Sequence, residues 1–139
     1  MKTIKINTYS NKIIADTITP VEIYLKIRDK FPNSILLESS DYTQAGNNYS
    51  FICFNQTGYF EVKNHSVNQK LPGCKGKTIK MDSYKTVTDY LNEYLNSFDI
   101  EKSNLKFISN GLFGFMSHES VKYQEHINFS SKKSDLDIP

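Results

Sequence analysis

The chain has 139 residues, of which 38% are hydrophobic and 23% charged, with a formal net charge of +2. That length and composition describe one domain with enough apolar material for a single core. Arg28 is the sole arginine, so the chain lacks both the basic stripe with interleaved aromatics that marks a nucleic-acid partner and the guanidinium forks that usually hold a dianionic substrate.

Met1 to Ile13 alternates lysine with isoleucine and never forms the apolar core of a signal peptide, and nowhere is there a run long and apolar enough for a membrane-spanning helix. The expectation is a cytoplasmic protein with no membrane contact. Cys53 and Cys74 then read as reduced thiols, and nothing in the pattern supports a disulfide between them. The Asn-X-Ser/Thr sequons that start at Asn48, Asn55, Asn64 and Asn128 carry no weight without a secretion signal.

Thr19-Pro20-Val21-Glu22 is a helix start: Thr19 caps, Pro20 fits the first helical position and Glu22 reaches back. The helix is predicted to run to about Asp29, with Val21, Tyr24, Leu25 and Ile27 as its apolar side, and to end before Pro32, which disfavours helical geometry at Phe31. Short β patterns follow at Ser34–Ser39, Tyr49–Phe54 and Gly58–Asn64. Asn55-Gln56-Thr57-Gly58 is a short connection between the last two, and a hairpin is its natural reading.

LPGCKG at 71–76 is turn chemistry, and Lys77–Met81 is a further short strand. The Gly76-Lys77-Thr78 triplet is not a phosphate-binding loop, because that motif needs glycine where this chain has Leu71. From Asp82 the period becomes helical behind an Asp82 or Ser83 cap. Val87, Tyr90, Leu91, Tyr94, Leu95 and Phe98 recur at steps of three and four, a core-packing stripe and not a cofactor box. Leu105–Ser109 reads as a strand, and NGLFGFMSHE at 110–119 places Gly111 and Gly114 in an apolar run, a pattern of bulges or close backbone approach. Beyond Lys122 the chain turns polar. The sketch is an α+β domain of antiparallel strands with at least two packed helices.

Reaction chemistry is hard to assemble from these residues. His118-Glu119 followed by His126 misses the zinc-protease spacing, which needs its second histidine where Lys122 stands, and a solvated face explains it better. His65 stands in a polar turn. The stretch LLESSDY at 36–42 differs: a strand ending in Glu38, Ser39 and Ser40 offers an anionic oxygen pair to an ammonium group, and hydroxyls and free N–H groups to a carboxylate. A strand-end carboxylate is most often a solvated charge, and the residues alone leave both readings open.

The order of motifs resembles the N-terminal region of anthranilate synthase component I. The matching pieces are DTITPVEIYLKI at 16–27, ILLESSDY at 35–42, NNYSFIC at 47–53, GLFGFMSHESVKYQE at 111–125 and DIP at 137–139. The resemblance implies that residues 1–139 are an N-terminal regulatory and scaffolding domain. It implies a fold of two sheets stacked between helices, shared with a following chorismate-binding portion that holds the catalytic and Mg2+-binding residues. This stretch itself would then have no catalytic residue, cofactor or metal. The implied whole enzyme converts chorismate, with ammonia or glutamine, to anthranilate and pyruvate alongside a glutamine amidotransferase component II.

In that family the LLES motif lines the feedback site for L-tryptophan. Carried over, Glu38 pairs with the ligand ammonium, Ser39 hydrogen-bonds it and Leu37 borders the indole, with Tyr49 and Ser50 from the second segment nearby. Asn48 departs from the arginine that many relatives have before the YSF aromatic, and His118 from a frequent tyrosine. The resemblance also implies close packing at Gly111 and Gly114 and an apolar face that the following portion covers. The alternatives are the paralogous aminodeoxychorismate synthase component I and a ligand-free interaction module.

Overall fold

The computed structural model describes residues 3–38, 49–101, 105 and 107–125. In chain order the elements are β1 (Ile4–Ile6), α1 (Pro20–Ile27), β2 (Ile35–Glu38), β3 (Ser50–Cys53), β4 (Tyr59–Lys63), β5 (Ser66–Lys70), β6 (Lys77–Lys80), α2 (Val87–Leu95), β7 (Phe98–Ile100) and a 3-10 helix at His118–Tyr123. The chain is α+β, and among the described residues the strands pair antiparallel except β1 and β7, which run parallel. It forms two compact units, one within Tyr9–Gln56 and the other of the N-terminal strand with the residues from Thr57 onward.

In the Tyr9–Gln56 unit the local signals act as expected. The Thr19 hydroxyl accepts from the Glu22 backbone N–H at 3.1 Å, and Pro20 opens α1. Lys26 closes an i,i+4 pair with Glu22 at 2.7 Å and holds that carboxyl below its ordinary range. The helix packs on β2 and β3, while Phe31 and Phe54 meet with ring centroids 5.1 Å apart. Ser34, just ahead of β2, is buried, and its Oγ has no hydrogen-bond partner among the described residues.

In the other unit β4, β5 and β6 form a three-stranded antiparallel sheet in the order β4-β5-β6. Strand alternation sends Glu61, Asn68 and Thr78 to one face in mutual register. There Asn68 Nδ2 donates to Glu61 at 2.9 Å and Thr78 Oγ1 donates to Asn68 at 2.7 Å, a polar ladder across the sheet. The opposite face holds Phe60, Val62, Val67 and Ile79 and packs against α2, where Val67, Tyr90 and Tyr94 are the buried apolar residues among those described. Phe60 and Phe98 flank the Tyr94 ring at centroid distances of 5.6 and 5.2 Å. Tyr90 and Tyr94 are thus the core residues of the predicted stripe, whereas Phe98 has left the helix for β7.

Several sequence expectations are corrected here. Tyr49–Phe54 and Gly58–Asn64 do not form a hairpin: β3 pairs with β2, and β4 pairs with β5. The hairpin turn is Asn64-His65, where both residues have positive φ (50° and 55°), the geometry whose twist matches two flanking strands. β5 itself breaks the apolar alternation because the buried face of Ser66–Lys70 carries Gln69 beside Val67. The second helix starts at Val87, not near Asp82. Thr86 and Asp89 form a reciprocal capping box there, while Asp82 stays in the preceding turn and its N–H donates to Tyr90 Oη at 2.9 Å.

The described residues of 105–109 carry no strand, and neither does 110–117, which leads into the 3-10 helix. The strand of this region is β7, aligned in parallel with β1 through Ile4↔Phe98, Lys5↔Asp99 and Ile6↔Ile100. Ile108, Phe115 and Met116 are each more than 60% exposed (65%, 70% and 77%), so the glycine-rich run presents apolar side chains to solvent. Among the described residues no helix is long and apolar enough to cross a membrane.

Candidate functional site

The strand pairing decides which of the predicted site residues meet. β2 and β3 align with Ile35↔Cys53, Leu36↔Ile52, Leu37↔Phe51 and Glu38↔Ser50. Glu38 ends its strand and Ser50 begins the next, so they are directly opposed at the end of this two-stranded sheet where the chain passes from β2 to β3 through residues 39–49. Ser50 Oγ donates to Glu38 Oε1 at 3.4 Å, and both side chains are exposed.

Successive strand residues point to opposite faces. Leu36, Glu38, Ser50 and Ile52 therefore share one face, and Ile35, Leu37, Phe51 and Cys53 the other. Glu38 and Ser50 are brought together, with the apolar Leu36 and Ile52 behind them. Leu37 stands on the reverse face. Tyr49 lies immediately ahead of β3 and is 42% exposed. Ser39 and Asn48 lie outside the described residues, as do Ser40 and the Asp-Ile-Pro stretch at 137–139.

Glu38 has no ion-pair partner among the described residues. Its carboxylate, supported by one neutral hydroxyl, is an acceptor open to a cationic donor, and an ammonium group could be held by both oxygens at once. Leu36 and Ile52 supply an apolar floor beside it. The opposition of Ser50 to Glu38 is the feature that no single segment of sequence reveals, since it depends on register between residues twelve positions apart.

The other residues with possible chemistry are dispersed. His118 is exposed at the start of the 3-10 helix, and Glu119 there pairs with Lys122 at 3.4 Å. The His65 ring meets Tyr123 edge-on at 5.4 Å. Cys53 is half-buried, and burial pushes its thiol above the ordinary range, whereas Cys74 is exposed in the turn after β5; both are free thiols. No three His, Cys, Asp or Glu side chains among the described residues lie together in a way that could hold a metal ion.

Comparison with known proteins returns the family that the motif order suggested. The chain is similar to anthranilate synthase component 1 of Pseudomonas aeruginosa, with 29% identity over 117 residues, covering 84% of this chain and 23% of the relative. The protein of the same name from Arthrobacter globiformis is 26% identical over 131 residues, covering 92% of this chain and 23% of the relative. That from Aquifex aeolicus is 24% identical over 116 residues, covering 84% and 23%. The chain spans about a quarter of the length of the curated relatives it matches. No family model and no solved structure matches it.

Proposed function

We propose that this chain is the regulatory and scaffolding domain of an anthranilate synthase component 1 and contributes a feedback site for L-tryptophan at the Glu38–Ser50 end of β2 and β3. The single observation that carries the site is the opposition of Glu38 and Ser50, a carboxylate with no ion-pair partner among the described residues and a hydroxyl on one sheet face. That pair suits an ammonium group, and the apolar side chains behind it suit a ligand that is not wholly polar. Ser39 and Tyr49 are proposed to add hydrogen-bonding contacts where their segments adjoin this end. Leu37 is proposed to pack beneath the site, from the reverse face.

The reaction belongs, on this reading, to a longer polypeptide that takes chorismate and ammonia or glutamine to anthranilate and pyruvate, with a glutamine amidotransferase component as partner. The similarity to proteins about four times as long supports it. The Mg2+ that the resemblance implies finds no ligand set among the described residues.

The test is calorimetric titration of L-tryptophan into the longest chain the gene encodes, as wild type, Glu38→Ala and Ser50→Ala. Loss of the charge-assisted contact at Glu38 should weaken binding by about 1.5 to 3 kcal/mol, roughly ten- to a hundredfold. Ser50→Ala should weaken it less, by about 1 kcal/mol. Saturable binding that neither substitution changes would place the amino-acid site elsewhere.

A further inference from the structure

The glycine-rich run opens on Asn110-Gly111, the sole Asn-Gly step in the sequence. Asn110 is half-buried and Gly111 exposed, in a stretch without helix or strand. One hydroxyl holds the Asn110 carboxamide: Thr8 Oγ1 donates to Oδ1 at 3.1 Å and accepts from Nδ2 at 2.7 Å. Nδ2 also reaches Ser109 Oγ at 3.5 Å. The two bonds to Thr8 fasten the segment after β1 to a residue 102 positions away in the same compact unit. They lie at the surface, where water can replace either at small net cost.

An asparagine carboxamide is an electrophile within reach of the next residue's backbone nitrogen. That attack is held back by a side chain on the next residue, by a hydrogen bond that occupies its N–H, and by regular structure that fixes the dihedrals between the two. None of these protects Asn110. Gly111 has no Cβ, and beyond the adjoining residues the one heavy atom within 4 Å of where a Cβ would stand is Ile108 Cγ2, at 3.9 Å. The Gly111 N–H makes no hydrogen bond among the described residues. The two Asn-Ser steps, Asn33-Ser34 and Asn96-Ser97, differ on both counts. Each serine adds a Cβ, and the Ser34 N–H donates to the Phe31 carbonyl at 2.9 Å and the Ser97 N–H to the Tyr94 carbonyl at 3.1 Å.

From this contrast we propose that Asn110-Gly111 is a site of spontaneous covalent modification, at which residue 110 loses ammonia and becomes aspartate or isoaspartate. The Gly111 amide nitrogen gives its proton to hydroxide and bonds to Asn110 Cγ. The Cγ–Nδ2 bond then breaks, and Nδ2 takes a proton from water and leaves as ammonia, which closes a succinimide ring. Water reopens the ring at either carbonyl. Cleavage between Cγ and the ring nitrogen gives aspartate, and cleavage between the backbone carbonyl carbon and that nitrogen gives isoaspartate, whose backbone runs through the former side chain. Water is consumed, ammonia is released and nothing is oxidised or reduced. Either product carries a carboxylate where Nδ2 stood, so the donor to Thr8 is lost and the tie on the segment after β1 is loosened. This site does not rest on the reading of Glu38 and Ser50, which belong to the other compact unit.

The experiment incubates the full chain in neutral and in mildly alkaline buffer, native and unfolded in guanidinium, and follows each asparagine by peptide mass spectrometry through the mass gain that replacing NH by O brings. Asn110 is expected to convert about as fast in the native as in the unfolded chain, and faster in alkaline buffer, because the nucleophile is the deprotonated amide. Asn33 and Asn96 are expected to convert in the unfolded chain and to lag at least about tenfold in the native one, where their attacking N–H groups are engaged. Asn110→Gln keeps a carboxamide but needs a larger ring, so it should stop the conversion at that position and leave the other two unchanged. In the isotope-labelled chain the Thr8 backbone amide resonance should shift in step with the conversion. A native Asn110 as protected as Asn33 and Asn96, or a rate indifferent to pH, would overturn the site. Conversion that leaves the Thr8 amide unmoved would overturn the loosening of its tie.

Discussion

The hydroxyl of Tyr94 donates to the backbone carbonyl of Lys70 at 2.9 Å, which fastens α2 to the end of β5. The ring beneath it is 2% exposed and packed between Phe60 and Phe98. Tyr94→Phe keeps the ring and removes the bond, so it should cost about 1 kcal/mol, read as a lower denaturation midpoint with an unchanged denaturant slope. Tyr94→Ala should cost about 3 to 5 kcal/mol because it also opens a cavity.

The same residue sets an alkaline limit. Burial raises the Tyr94 hydroxyl above its ordinary 10.0, so the folded state keeps its proton at pH values where the unfolded chain has lost it. The associated stability is fully present below pH 10.0 and is lost as pH rises through the folded-state value. Tyr94→Phe should flatten that alkaline decline in a series of denaturation curves.

Gly58 leaves room for the Tyr94 bond. A Cβ there would lie 2.7 Å from the Lys70 carbonyl oxygen and 2.9 Å from Tyr94 Oη, both below any ordinary contact. Gly58→Ala should therefore destabilise by about 1 to 3 kcal/mol. Combined with Tyr94→Phe it should cost less than the two separate losses added together, because one hydrogen bond is removed twice. A double-mutant cycle by thermal or chemical denaturation measures that difference.

At the start of α2 the Thr86 hydroxyl accepts from the Asp89 N–H at 3.2 Å, and Asp89 Oδ2 accepts from the Thr86 N–H at 2.8 Å. Thr86→Ala should cost about 1 kcal/mol. Hydrogen bonds from Thr86, backbone first and hydroxyl second, hold the Asp89 carboxyl below its ordinary 3.8. Its contribution is present above pH 3.8 and is lost as pH falls through the lower folded-state value. Asp89→Asn should reduce the loss of stability on acidification below pH 3.8, as followed by circular dichroism.

The two thiols should differ in reactivity. Cys74 is exposed, while Cys53 is half-buried with its thiol pushed up by burial, so less of it is thiolate at neutral pH. Alkylation of the native chain with iodoacetamide, read by peptide mass spectrometry, should label Cys74 first. Equal labelling rates in the native chain and equal rates after denaturation would contradict this assignment.

What could be read from sequence was local. The Thr19-Pro20 start of α1, the tyrosine stripe of α2, the β character of Leu36 to Glu38 and the turn around Cys74 all depend on residues within a few positions of each other, where capping, periodicity and turn chemistry act directly. Glu38 could be singled out for the same reason, as a carboxylate at a strand end. Pairing partners could not be read, because hydrogen bonding between strands is set by register and by which apolar faces meet. The Asn64-His65 turn, not the Asn55–Gly58 connection, makes the hairpin. β5 escaped notice because Gln69 occupies a buried position that pattern alone assigns to an apolar side chain, and the alignment of β1 with β7 joins segments more than ninety residues apart. The motif order pointed to the resemblance, but only tertiary structure set Ser50 opposite Glu38 and brought Gln69 and Lys77 to one cavity, since these neighbours meet only when separate segments are aligned in space.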